Sequence, residues 1–143
     1  MGYPSQHVHH DPDQLAKHCF NVRRTIWITF DRVGFHCYPD APDEVAYLRD
    51  RHRHVFKFKV EIEVFHDERD IEFHMFQSWC LAQYADSIPG RLEADGKSCE
   101  TLAYELGLRI QLAHPTRDFT VEVSEDGECG SRVQFGKLQH AVS

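Results

Sequence analysis

The most regular alternation of hydrophobic and polar residues in the chain runs through HVFKFKVEIEVF, residues 54–65. The apolar side chains share one parity: Phe56, Phe58, Val60, Ile62 and Val64. The positions between them carry mainly Lys and Glu. Because successive side chains of a strand point to opposite faces, this pattern predicts a long strand with one buried face and one solvated face.

Weaker patterns predict the other elements. Residues 23–33 alternate as a strand does, whereas residues 34–43 contain two prolines and a glycine and predict a break. Residues 75–85 and 99–112 carry apolar positions at helical spacing, and Ser98 is a suitable N-cap for the second of these helices. Residues 44–49 predict one helical turn. Three further segments predict short strands: 71–73, 119–123 and 132–135.

The order of these elements predicts the fold class. Strands lie at both ends and two helices lie between them, separated by a turn at Asp95-Gly96, so we expect an α+β fold with an antiparallel sheet and two helices on one face. A chain of 143 residues suits a single domain. We assign residues 21–137 to that domain, residues 1–20 to an N-terminal arm or tail, and residues 138–143 to a C-terminal tail.

Composition limits the partners and the compartment. The net charge of −7 argues against sequence-independent binding to nucleic acid, which needs clustered Lys and Arg. No apolar run approaches the length of about 18 residues that a membrane span needs, and the N-terminus does not resemble a secretory signal. The five cysteines are odd in number, widely spaced and without a CxxC motif, which favours a reducing, cytoplasmic location over a disulfide framework.

Histidines at the start of the long strand are the strongest chemical signal. His52 and His54 are two residues apart, so on a strand they point to the same face, about 7 Å apart. His36 follows the first predicted strand, which should pair with the second. Three histidines on zinc leave the fourth position open to water or substrate, as in catalytic zinc sites. We therefore predict a zinc site formed by these three residues.

Two other interpretations of these histidines stay open. The sequence RHRH at 51–54 is also typical of a basic, solvated strand end. His52 and His54, however, share the parity of the apolar Phe56 and Phe58, and burying an imidazole is costly unless it finds a partner. Backbone carbonyls would serve as that partner, as a metal ion would.

Five short motifs, taken in order, carry a resemblance to a known family. They are His36 in GFHC, HRH at 52–54, Glu72-Phe73, SCETLA at 98–103 and VEVSED at 121–126. His36 resembles a first zinc histidine, and HRH resembles the HGH that opens the second strand. Glu72-Phe73 resembles a carboxylate-Phe pair before a helix. SCETLA resembles the helix-opening T-x-E-N-[LI]-A, and VEVSED resembles V-x-V-x-E-T. This is the pattern of the 6-pyruvoyl-tetrahydropterin synthase superfamily, which includes the 6-carboxy-tetrahydropterin synthases of the queuosine pathway. The resemblance covers about residues 23–135.

The resemblance implies a fold, a ligand class and an assembly. The family has the T-fold, whose order is ββααββ. By the motif match Glu125 is the carboxylate that holds a pterin or purine ring, a role that suits a group able to accept two hydrogen bonds. Family members form rings with their sites at subunit interfaces, so the resemblance also implies a homo-oligomer.

The chain departs from the family at the residues that transfer protons. Leu48 stands where the family has a catalytic cysteine, and residues 85–98 contain no counterpart of the family's Asp-His pair. Cys37 and Asp50 are weak candidates for the missing catalytic groups. Glu44 is a further candidate, although it and Asp50 are as readily explained as surface carboxylates.

Two functions are compatible with this pattern. The first is a zinc-dependent lyase or isomerase of the 6-pyruvoyl/6-carboxy-tetrahydropterin synthase type, acting on dihydroneopterin triphosphate or a related pterin. The second is a non-catalytic protein of the same fold that binds a pterin, a purine or a nucleotide-like ligand.

Overall fold

The computed structural model describes residues 11–13, 21–84 and 90–139. Most of the predicted N-terminal arm therefore lies outside the described residues, as do the end of the predicted C-terminal tail and the last residue of the first predicted helix. Residues 21–84 and 90–139 contain five strands, two α-helices and a 3-10 helix: β1 (Arg24–His36), the 3-10 helix (Asp43–Arg49), β2 (His52–Val64), α1 (Phe73–Ala82), β3 (Arg91–Asp95), α2 (Cys99–Ala113), β4 (Phe119–Glu125) and β5 (Cys129–Phe135).

The five strands form one mixed sheet in the order β3-β1-β2-β4-β5. The pairs β1–β2, β2–β4 and β4–β5 are antiparallel, whereas β3 runs parallel to β1 at one edge. The α+β class is confirmed. The expectation of a purely antiparallel sheet is wrong at this edge, because the sequence around Asp95-Gly96 was assigned to a turn and the five-residue strand before it went unrecognised.

The core lies on one face of the sheet. The alternating residues of β2 from Phe56 to Val64 are buried, while Lys57 on the opposite parity is exposed. Side chains from both α-helices join the same apolar cluster as β2: Phe76, Cys80, Leu102, Leu106 and Ile110. Both helices therefore cover the same face, as the element order predicts, and the other face of β2 carries mainly Lys and Glu.

Two of the local sequence predictions differ from the structure. The break predicted at Gly34 is wrong, since β1 continues through His36 and Gly34 is a buried strand residue. The short strand predicted at 71–73 is also wrong, because the Glu72 carboxylate accepts a hydrogen bond from the Met75 N–H at 2.8 Å and caps α1. A carboxylate at a helix N-terminus satisfies an N–H that has no partner within the helix.

Two further findings concern the surroundings of the protein. Within the described ranges, no helix has the length and hydrophobicity needed to cross a membrane. The four cysteines of the described residues are free thiols: Cys37, Cys80, Cys99 and Cys129. Burial raises the pKa of the Cys80 thiol to about 12, as expected for an inert core cysteine.

Gly34 allows the Phe56 ring to pack directly against the backbone of β1. A Cβ at position 34 would lie 2.5 Å from Cδ2 of that ring, so we expect Gly34→Ala to lower the free energy of unfolding by about 1–3 kcal/mol. Urea-induced unfolding followed by circular dichroism measures this. Gly136→Ala is the matched control, because a Cβ there meets no described atom within 4 Å. Equal unfolding midpoints for the two variants would contradict the assigned contact.

Candidate metal centre

The pairing of β1 with β2 brings three imidazoles together. His36 lies directly opposite His52 in the antiparallel register, and His54 lies two residues further along β2 on the same face. The ring centroids are 4.6 Å apart for His36 and His52, 5.1 Å for His36 and His54, and 4.9 Å for His52 and His54. One nitrogen from each ring lies within 4.8 Å of the other two, so this group could hold a metal ion.

Backbone carbonyls fix two of the imidazoles. The Nδ1 atom of His36 is 3.2 Å from the carbonyl oxygen of Lys97, and the Nδ1 atom of His52 is 2.7 Å from that of Asp50. A carbonyl oxygen only accepts hydrogen bonds, so Nδ1 of each ring carries a proton, and in the neutral imidazole Nε2 keeps its lone pair. This is the tautomer in which Nε2 binds a metal ion.

A carboxylate fixes the third imidazole. Oδ2 of Asp126 is 2.6 Å from Nδ1 of His54, and Oδ1 accepts a hydrogen bond from the Val55 N–H at 2.8 Å. Asp126 has a φ of 57°, and its own N–H donates to the Val55 carbonyl at 2.8 Å. The hydrogen bond from His54, followed by that from Val55, lowers the pKa of Asp126. A carboxylate that accepts from a ligand histidine raises the basicity of that ligand.

Two of the three Nε2 atoms have no hydrogen-bond partner among the described residues. Nε2 of His52 and Nε2 of His54 are buried and unpaired within the described residues. A buried polar atom without a partner is costly, and a lone pair of this kind is satisfied by a proton donor or by a cation. The donor set therefore fits a metal ion.

The centre opens into a cleft of about 590 Å³. His36 and His52 form one wall, and the N-terminus of α2 forms another. Of the candidates from the sequence, Cys37 is half-buried and lines this cleft. Leu48, at the position of the family's catalytic cysteine, lines it as well. Asp50 contributes its backbone carbonyl to the centre and is not among the residues that line the cleft.

The carboxylate of Glu125 lies within 3.5 Å of two of the imidazoles. Its Oε1 is 3.2 Å from Nε2 of His36, and its Oε2 is 3.5 Å from Nε2 of His54. Glu125 also lines the cleft, together with Cys99. Burial, and then the charge of Glu125, raise the pKa of the Cys99 thiol to about 11, so Cys99 is protonated at neutral pH.

A larger groove of about 730 Å³ lies on the polar face of the sheet and is lined by none of the three histidines. Its charged side chains pair with one another, as Arg132 does with Glu122 at 2.8 Å and Lys57 with Asp31 at 3.5 Å. The smaller cleft beside the histidines is therefore the candidate functional site.

The sequence predicted the three histidines and missed Asp126. The alternation of β2 placed His52 and His54 on one face, whereas the contact between His54 and Asp126 joins residues that are far apart in the chain. The only signal in the sequence was a second carboxylate directly after Glu125.

Comparison of this chain with known proteins finds a similarity among solved structures. Neither the protein-family models nor the curated proteins give a match. Among solved structures it is similar to an uncharacterized protein from Wolinella succinogenes, with 13% identity and a TM-score of 0.55. The alignment covers 80% of this chain and 99% of that one. At this identity the similarity concerns the fold alone.

We expect Asp126→Asn to weaken Co²⁺ binding by about 10–100-fold, the usual effect of losing a carboxylate behind a ligand histidine. Asparagine tolerates the positive φ of this position, so the turn should persist. The measurement is competition for Co²⁺ with a chromogenic chelator. Glu128→Gln, in the same exposed turn, is the control and should bind as the wild type does. Equal affinities for both variants would exclude this role for Asp126.

Proposed function

We propose that this chain is a divergent T-fold protein that binds zinc through His36, His52 and His54 and converts a reduced pterin, in the manner of the 6-pyruvoyl/6-carboxy-tetrahydropterin synthases. One observation carries the proposal. All three Nδ1 atoms are engaged by acceptors, which leaves the Nε2 atoms free to bind, and one nitrogen from each ring lies within 4.8 Å of the other two beside an open cleft. The substrate would be dihydroneopterin triphosphate or a related pterin.

The fold is consistent with the T-fold part of the proposal. Strands β1, β2, β4 and β5 are neighbours in that order and antiparallel, and both α-helices lie between β2 and β4 in sequence. Strand β3 is an addition to the ββααββ order. Zinc is the metal of choice because three imidazoles suit its tetrahedral geometry, although copper and nickel also bind imidazole.

In this proposal each part of the site has a task. Zinc, when bound, supplies a Lewis acid that polarises an oxygen of the pterin side chain. Cys37 is one of the thiols that line the cleft and in this proposal exchanges a proton with the ligand. Glu100 and Glu125 line the same cleft and offer carboxylates to the amino and ring N–H groups of a pterin.

Assembly is part of the same proposal. Strands β3 and β5 form the two edges of the sheet, and exposed edges invite pairing with another chain. We propose a homo-oligomer in which neighbouring subunits complete the clefts.

The first prediction concerns zinc. We expect about one zinc ion per chain by elemental analysis of the purified protein. The double variant His52→Ala/His54→Ala should lose that zinc, since two of three ligands are removed. His74→Ala, an exposed histidine of α1, should retain it. Zinc that stays bound to the double variant, or that is absent from the wild type even after reconstitution, would refute the proposed centre.

The second prediction concerns chemistry. Zinc-loaded protein incubated with dihydroneopterin triphosphate should give a new pterin product by chromatography, and Cys37→Ser should slow its formation by about 100-fold or more if the thiol moves protons. Ser131→Ala, on β5, is the control variant. Turnover that is unchanged in Cys37→Ser would exclude the thiol from the reaction.

One observation favours the second function, a zinc-containing binding protein without turnover. Leu48 lines the cleft at the position where the family has its catalytic thiol, and leucine transfers no proton. For this function, the wild type should retain the pterin through gel filtration and release it unchanged. Product formation by the wild type would instead support the enzyme.

A further inference from the structure

We propose that Glu125 is the fourth protein ligand of the metal centre and closes it when no small molecule is bound. This inference rests on the proposed metal-binding function. It gives Glu125 a role different from the one implied by the family resemblance, in which that carboxylate only holds the heterocyclic ring.

The distances fit a shared coordination sphere. With zinc–ligand bonds of about 2.0–2.1 Å, the ligand atoms of a tetrahedral site lie about 3.3–3.4 Å from one another. Oε1 of Glu125 lies 3.2 Å from Nε2 of His36, and its other oxygen, Oε2, lies 3.5 Å from Nε2 of His54. One of these distances is slightly shorter, and the other slightly longer, than the distance between two ligand atoms of a tetrahedral zinc site.

The charges lead to the same conclusion. The ring of His36 has Nδ1 directed at the Lys97 carbonyl, and that of His54 has Nδ1 directed at Asp126, so in the neutral imidazoles both Nε2 atoms bear lone pairs. In that state the carboxylate and both Nε2 atoms are hydrogen-bond acceptors, and none of them offers a proton to the others. Nε2 of His54 accordingly has no hydrogen-bond partner among the described residues. A cation between these atoms converts the unfavourable arrangement into a favourable one.

Two consecutive residues enclose the His54 ring. Glu125 ends β4 and faces Nε2 of His54, whereas Asp126 accepts from Nδ1 of the same ring. The positive φ of Asp126 ends the strand and lets both carboxylates reach one imidazole. The side chain of Glu125 is 30% exposed, so it is accessible from the cleft and can be displaced.

Displacement would connect the two roles of Glu125. A ligand oxygen that takes the fourth position releases the carboxylate into the cleft that Glu125 lines. There it can accept the N–H groups of the ligand. The centre is then closed at rest and opens only for a ligand that offers both an oxygen to the metal and N–H groups to Glu125.

The test uses Co²⁺ as a spectroscopic substitute for zinc and azide as a probe of an open coordination position. We expect the visible spectrum of the Co²⁺-loaded wild type to resist azide, because Glu125 occupies the position. Glu125→Ala should show a spectrum that changes with azide. Glu125→Gln, which keeps the side-chain volume, should bind Co²⁺ at least about tenfold more weakly in competition with a chelator. Glu122→Gln, on the same strand but paired with Arg132 on the polar face, is the control and should match the wild type.

The outcomes separate this inference from the proposed function. If the wild type binds Co²⁺ through its histidines but responds to azide as Glu125→Ala does, the role of Glu125 as a ligand is refuted and the metal centre stands. The same conclusion follows if Glu125→Gln and Glu122→Gln bind Co²⁺ equally. If the wild type binds neither Co²⁺ nor zinc, the metal function and the fourth ligand are refuted together.

Discussion

The antiparallel register of β1 and β2 is the constraint on which the rest of the structure depends. It places His36 opposite His52 and, on the same face, Phe30 opposite Phe58. The core and the candidate centre are thus successive parts of one surface. A slip of one residue would exchange the faces of β2 and separate the histidines at the same time. The apolar contacts that fix the register, such as the stacked rings of Phe30 and Phe58 at 4.6 Å, therefore also fix the site.

The side chains of the site lower the stability of the fold locally. Apolar side chains continue along β2 from Phe56, and the same face ends in two imidazoles whose Nε2 atoms are buried without partners. Apolar residues at positions 52 and 54 would pack there without this cost. Natural sequences break local rules of this kind mainly at functional sites. The hydrogen bonds at all three Nδ1 atoms keep the rings oriented despite the cost.

The sequence predicted what depends on local pattern and missed what depends on distant contacts. The alternation along β2 and the cap at Ser98 were readable, and the structure confirms both. Gly34 was interpreted as a break because nothing nearby in the sequence shows that the Phe56 ring requires a residue without a side chain there. Strand β3 is only five residues long and was missed for the same reason, since its partner β1 lies more than fifty residues earlier.

The same distinction applies within the site. His52 and His54 could be paired from their spacing, and His36 from the end of a strand. Asp126 could not, because its contact with His54 arises only when the β4–β5 turn packs against the start of β2. The motif match predicted Glu125 as a site residue. Its distance from the imidazoles, however, depends on the pairing of β4 with β2, which the sequence does not show.

Charge balance gives a physical reason for two carboxylates at one imidazole. Three neutral imidazoles and a divalent ion would leave two positive charges in a half-buried place, and burying uncompensated charge is costly. Glu125 and Asp126 each bring one negative charge to His54, from opposite sides of its ring. With both in place, a centre that held a divalent ion would be neutral overall. A ligand that displaces Glu125 leaves that carboxylate in the cleft, so such a ligand is stabilised when it offers N–H donors to Glu125 while its oxygen meets the metal. A pterin carries both kinds of group.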